Sequence, residues 1–173
     1  MRTVLQNKGF SSERITVLAD GVAGAAGLPT RAAILEGLTA LSERVKPGDF
    51  AVVYYSGHGS QQLVTEQTAA SEPDGLDETL LPRDVGTWNG SAGVVDNAIV
   101  DDEIGIRLTA LRQHGAFVLA VFDSCFSGTV TREPKFEDWR YRSVPPDELG
   151  IPEAKVDEIT SRSLSDMGMI WVE

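Results

Sequence analysis

Two continuous apolar runs, each cut off by a polar, glycine-bearing turn, restrict what this chain can fold into more than any other feature. The first, Phe50-Ala51-Val52-Val53-Tyr54-Tyr55, is rich in β-branched and aromatic residues, lies between Gly48 and Gly57, and leads into "SGHGSQ". The second, "AFVLAVF" over residues 116–122, leads into "DSCFSG". Short apolar runs bounded by turn residues predict buried strands. Between them, Asp101-Asp102-Glu103 opens a helix with acids in its first turn, where the helix dipole favours them. Ile104, Leu108 and Leu111 give that helix an apolar face, and Gly115 ends it.

Upstream, Thr30 is the expected N-cap of another helix, with Ile34, Leu38, Leu41 and Val45 at helical spacing and Pro47-Gly48 as its stop. Ile15-Thr16-Val17-Leu18-Ala19, ending at Asp20-Gly21, predicts a further short strand. Strand, helix, strand, helix, strand is the rhythm of an α/β domain with an open, mostly parallel sheet. Ligands of such sheets bind beyond the carboxyl ends of the strands. His58 and Cys125 each stand three residues past a predicted strand end. If the strands are parallel, both side chains emerge at one edge.

Residues 57 to about 100 are rich in Gly, Pro, Ser, Asp and Gln, with only 79–81 and 94–95 as short extended candidates. They predict a long functional loop region. After residue 130 the periodicity weakens, and residues 131–173 predict a loop-rich segment with one short helix near 153–162. The expected division is therefore a catalytic domain over 1–130 and a linker or processing region over 131–173.

Composition removes several classes of function. The 173 residues carry a formal net charge of −11, which disfavours nucleic acid and anionic membranes as partners. Neither a transmembrane stretch nor the apolar core of a secretory signal is present, and one cysteine excludes an internal disulfide framework. A reducing cytoplasm is the expected compartment.

A free cysteine is most often a small buried hydrophobe. Cys125, however, sits in a polar turn just beyond a strand, where a thiol is accessible and a neighbouring imidazole can take its proton. A metal site built on it is disfavoured, because one Cys and two His do not complete a structural zinc set without carboxylates. His114, in the last turn of a helix, is explained by its interaction with the carbonyl end.

"YYSGHGSQ" followed by an apolar strand into "DSCFSG" resembles the paired signature of the metacaspase and orthocaspase branch of the caspase-like cysteine peptidases. "EPDGLDETLLP" and "IVDDE" lie between the halves, and the resemblance spans roughly residues 8 to 130, about three quarters of the chain. It does not extend to true caspases, whose cysteine signature is Q-A-C-x-G. It implies a caspase-like sheet flanked by helices, with Cys125 as nucleophile and His58 as base and then acid. It also implies an oxyanion hole from the backbone N–H groups of Gly59 and Cys125. Ser56 and Asp123 match positions lining the pocket for the residue before the cut. The implied activity is a cysteine endopeptidase cleaving protein or peptide substrates after Arg or Lys. The alternative for Asp123 is a turn-initiating Asp that caps the loop, and the pocket reading is preferred to it.

Family members often require calcium, and Asp101, Asp102 and Asp74 match its ligands, although two acids at a helix start also serve as caps. A further family acid, seven residues after the nucleophile, is replaced by Arg132, and Phe126 stands where the family commonly has His. "MRTVLQNKGF" resembles the tail of the family's first helix, so the family's N-terminal strand and its later strands are expected to be missing here. That pattern suits a processed or partial chain that joins additional domains or subunits. Arg132, Lys135, Arg140 and Arg142 follow the nucleophile and offer sites for self-cleavage. Two other readings stay open: a catalytically silent caspase-like scaffold, and another cysteine hydrolase using the same dyad.

Overall fold

The computed structural model describes residues 1–66, 68, 72, 74–124 and 142–166, the side chains of 162–166 excepted. These residues divide into two compact units.

The first unit comprises Met1–Ser56, Pro82–Asp84 and Glu103–Asp123. It contains α1 (Arg2–Asn7), α2 (Arg31–Arg44), β1 (Phe50–Ser56), most of α3 (Asp101–Gln113) and β7 (Phe117–Asp123). Helix α2 begins as its sequence dictates. Thr30 accepts a hydrogen bond from the Ala33 N–H at 3.3 Å, and the Asp84 carboxylate accepts one from the Arg31 N–H at 2.8 Å. Both groups satisfy donors that an α-helix leaves unpaired at its start. The Arg31 guanidinium then grips Glu103 at the beginning of α3 through two bonds of 2.9 and 2.7 Å. Ile104, Leu108 and Leu111 of α3 and Leu38 of α2 are buried, as their helical spacing predicts.

β1 and β7 pair in parallel, in register from Phe50↔Phe117 to Ser56↔Asp123. That register is set at the amino end. There the Gly48 N–H donates to the Gly115 carbonyl at 2.9 Å, and the Phe117 N–H to the Asp49 carbonyl at 2.8 Å. Gly115 adopts φ +84°, and a Cβ on it would lie 3.0 Å from Cα of Pro47. Glycine is required there on both counts. One face of the pair carries Ala51, Val53 and Tyr55 beside Val118, Ala120 and Phe122, with the Tyr55 and Phe122 rings 6.5 Å apart. The opposite face carries the in-register pairs Phe50–Phe117, Val52–Leu119 and Tyr54–Val121, and it is largely open to water. The two strands were expected to be buried throughout; they are covered on one side only.

The predicted strand at 15–19 does not form. Those residues make a single parallel bridge, Leu18↔Gly27, because the glycine-rich stretch that follows brings the chain straight back on itself. Among the described residues no strand precedes β1.

The second unit comprises Gly57–Leu81, Val85–Asp102 and Ser124–Glu173. Its sheet is β2 (His58–Leu63), β3 (Leu76–Leu81) and β6 (Ile99–Val100), antiparallel in the order β2-β3-β6. A two-residue antiparallel pair, β4 (Trp88–Asn89) and β5 (Val94–Val95), forms a separate ladder that packs on the same core. The stretch predicted as a long loop thus carries five short strands, although fewer than half of its residues lie in them. Leu63, Leu76, Val95 and Ala98 form its core with Leu149 and Ile151. Val144, Val156 and Ile159 pack against that cluster, so the C-terminal segment is built into this core rather than trailing from it. Its helix, α4, runs Glu153–Asp166; it starts where predicted and extends four residues beyond 162.

Candidate active site

In a parallel pair, residues in register at the carboxyl ends project from the same edge. β1 ends on Ser56 and β7 on Asp123, which are register partners. Ser56 Oγ donates to Asp123 Oδ2 at 3.1 Å, and Tyr54 Oη stands 3.5 Å from the same oxygen. All three residues are exposed. The result is a solvent-facing carboxylate held by two hydroxyls of one strand, beside an accessible aromatic ring. A guanidinium or ammonium meets both a counter-charge and an apolar wall there. The two predicted pocket residues, Ser56 and Asp123, are brought together. Tyr54 was missed, though the two-residue period of a strand puts it on the face of Ser56.

His58 is exposed, and it opens β2 opposite Leu81 rather than sitting on a free turn. Gly59 is buried, paired with Leu80 on one side and bridged to Ser143 on the other. Its N–H, the expected oxyanion donor, donates to the Arg142 carbonyl at 2.9 Å. Cys125, the predicted nucleophile and second oxyanion donor, lies outside the described residues, as do Phe126, Arg132, Lys135 and Arg140.

The acids of the second unit gather differently from the predicted trio. Carboxylate oxygens of Glu72, Glu78 and Asp101 lie within 4.8 Å of one another. Asp74 and Asp102 are not members of that group; Asp74 Oδ1 accepts the Leu76 N–H at 3.1 Å instead. The Asp102 N–H donates to Asp101 Oδ1 at 2.8 Å. Burial, reinforced by Glu78, Asp101, Asp77 and Asp74, pushes the Glu72 carboxyl up to about 7. Asp101 is raised by burial, with Asp102 adding to it. Asp77 is also raised by burial; the Thr68 hydroxyl, bonded at 2.8 Å, opposes the rise, while Asp101 and Asp102 add to it. Asp77 Oδ1 is buried and has no partner among the described residues.

Oxygen ligands at 2.3–2.6 Å from one calcium ion are separated by at most about 5 Å. The Glu72–Glu78–Asp101 spacing meets that limit, and a divalent cation would offset the burial and neighbouring negative charge that raise Glu72 and Asp101. The donor set therefore fits calcium, with Asp101 the member foreseen and Glu72 and Glu78 not. Their signal was the acid density of "SEPDGLDE" ahead of the Asp-Asp pair.

A parallel pair ending in a hydroxyl–carboxylate couple, followed two residues later in the chain by histidine and by cysteine, fits a caspase-like α/β domain. The model of the metacaspase, peptidase C14 domain family matches residues 1–134, and the chain belongs to that family. Metacaspase-1 of Saccharomyces cerevisiae is 35% identical over 126 residues, covering 73% of this chain and 27% of the relative. Metacaspase-3 of Arabidopsis thaliana is 37% identical over 135 residues, covering 78% of this chain and 34% of its own. The chain thus spans about a quarter to a third of the length of these curated relatives. The crystal structure of a Geobacter sulfurreducens protein shares the fold, with a TM-score of 0.55 at 24% identity, over all of this chain and 55% of that one. No described helix is long and apolar enough to cross a membrane.

Proposed function

We propose that this chain carries the catalytic part of a cysteine endopeptidase that cleaves protein or peptide substrates after Arg or Lys. The observation that carries the specificity is the Ser56–Asp123 couple, an exposed carboxylate at the carboxyl edge of the parallel pair. The family membership and the histidine and cysteine two residues beyond each strand end support the chemistry.

Cys125, as thiolate, attacks the peptide carbonyl carbon while His58 holds the thiol proton. The imidazolium then gives that proton to the departing amine, leaving a thioester. Water, deprotonated by His58, hydrolyses the thioester and restores the thiol. Backbone N–H groups of Gly59 and Cys125 hold the developing oxyanion. Asp123 pairs with the basic side chain before the cut, and a carboxylate there disfavours acidic side chains by like-charge repulsion.

Calcium bound by Glu72, Glu78 and Asp101 is proposed as an activator. Bound there, it would supply positive charge to the cluster and would tie Glu72, ahead of β3, and Glu78, within β3, to Asp101 at the start of α3. Self-cleavage after a basic residue of the loop following Cys125 is proposed as a maturation step. A reducing compartment such as the cytoplasm suits a peptidase that depends on one free thiol.

The test is turnover of fluorogenic peptides ending in Arg, Lys or Asp, with calcium or with chelator, by the full chain and by Cys125→Ala. The expected result is cleavage after Arg and Lys only, stimulated by calcium and abolished by the substitution. Cleavage after Asp, or turnover surviving Cys125→Ala, would refute the proposal.

A further inference from the structure

A carboxylate attracts arginine and lysine alike by charge, and the open face of the parallel ribbon carries a residue able to tell them apart. Tyr54 pairs in register with Val121, and Ser56 with Asp123, so Tyr54 is the diagonal neighbour of Asp123 across the two strands. All four stand on one face, because the side chains of a strand repeat every two residues. A diagonal neighbour is within reach of a long aromatic side chain. Tyr54 uses that reach: its Oη stands 3.5 Å from Asp123 Oδ2, the oxygen that also accepts from Ser56 Oγ at 3.1 Å. Its ring therefore lies along the strip and leads up to the carboxylate. At 41% exposed it is open to solvent, whereas the ring of Tyr55 faces the other way and packs on Phe122. A hydroxyl contact of 3.5 Å is long for an O–H···O bond, so what Tyr54 brings to the site is mainly its ring.

We propose that Tyr54 is a specificity-determining residue of this site, its ring stacking on the guanidinium of the residue before the cut and making the pocket favour Arg over Lys. The inference rests on the peptidase reading above and assigns a role to a residue of β1 within it. The two cations differ in shape and hydration. A guanidinium is flat and weakly hydrated, and it can lay one face on an aromatic ring while its N–H edge meets a carboxylate. An ammonium is compact and strongly hydrated, and it gains the charge pairing but little from the ring. Asp123 therefore supplies what both cations need, and Tyr54 supplies what only one of them uses fully. Val121, 37% exposed and in register with Tyr54, extends the apolar wall for the methylene stem of either side chain. The parts required, Tyr54, Ser56, Val121 and Asp123, all stand on β1 and β7.

The experiment compares the full chain with Tyr54→Phe and Tyr54→Leu on fluorogenic peptides that differ only in Arg or Lys before the cut. Phe keeps the ring and drops the hydroxyl; Leu keeps the face apolar and drops the ring. The wild type and Tyr54→Phe are expected to favour the Arg peptide. Tyr54→Leu is expected to lower kcat/KM for that peptide about two- to fivefold, mostly through KM, and to leave the Lys peptide nearly unchanged. A readout independent of turnover is an NMR titration with butylguanidinium or pentylammonium, with the Tyr54 ring signals assigned by their loss in Tyr54→Leu. Butylguanidinium is expected to shift those signals saturably, and pentylammonium to shift them less. An Arg-to-Lys ratio unchanged in Tyr54→Leu, or a loss as large in Tyr54→Phe, overturns the role of the ring and leaves the peptidase reading standing. Ring signals that answer to neither probe, or equally to both, overturn the stacking whether or not turnover is seen. A wild type that cuts neither peptide, with or without calcium, refutes the peptidase reading itself.

Discussion

Asp123 concentrates the specificity of the proposed site in one side chain. Its Oδ2 accepts from Ser56 at 3.1 Å while the carboxylate stays open to solvent, so the hydroxyl orients the charge without neutralising it. Asp123→Asn removes the charge and keeps the shape. It is expected to lower kcat/KM for Arg-ending peptides on the order of a hundredfold, the cost of leaving a cation without its counter-charge. Ser56→Ala keeps the charge and loses the tether, and a loss of about tenfold is expected. Steady-state kinetics on the two variants check this. Equal losses would mean that Asp123 acts only through its bond to Ser56. His58 and Asp123 could be picked out of the sequence because each follows an unmistakable strand. The carboxylates that gather around Asp101 could not, since which of them converge depends on how β3 and β6 pair.

Among the elements, β1, α2, α3 and β7 follow directly from local pattern, and their boundaries fall within a residue or two of expectation. Each carries an apolar run or stripe visible in its own residues, such as Ile104, Leu108 and Leu111 of α3, which are buried. The strands of the second unit carry no such stripe. β2 reads His-Gly-Ser-Gln-Gln-Leu, and besides Leu63 at its end it buries the polar Ser60 and Gln62. Ser60 is satisfied by Val144 and Gln62 by the Val95 N–H, partners 84 and 33 residues away. A polar strand stabilised by distant partners leaves no local period to detect. The Pro47–Gly115 junction is an element-scale device of the opposite kind, short and sequence-visible. Gly115→Ala is expected to destabilise the first unit by about 2–3 kcal/mol, through positive φ and a backbone collision. Gly105, inside α3 with open space around its Cα, is the control. Gly105→Ala is expected to raise stability by up to ~1 kcal/mol. Urea unfolding of both variants provides the comparison.

For the whole molecule, the net charge of −11 is unevenly felt, and the acids near Glu72 bear much of the strain. Its carboxyl titrates near 7 in the folded chain against 4.5 in its ordinary state. Below the lower value the group is protonated folded or unfolded and shifts nothing. As pH rises past it, the unfolded chain ionises while the folded chain keeps the proton, so stability is lost up to about 7 and stays lost above. In chelator, thermal unfolding is therefore expected to move to lower temperature as pH rises from 4.5 to about 7 and to level off above. Glu72→Gln is expected to flatten that slope, and saturating calcium to reverse it. An unchanged slope in Glu72→Gln would assign the titration to another group.

The outer side of the parallel ribbon has a consequence for how the molecule behaves in a tube. Phe117 is 68% exposed and Phe50 54%, and Leu119 and Val121 continue the stripe toward the end that bears Asp123. Water ordered against such a strip is released to any greasy surface that covers it, and patches of this kind govern colloidal behaviour as much as charge does. Dilution, mild surfactant and vessel walls thus become experimental variables, because whatever settles on the strip sits next to the carboxylate being assayed.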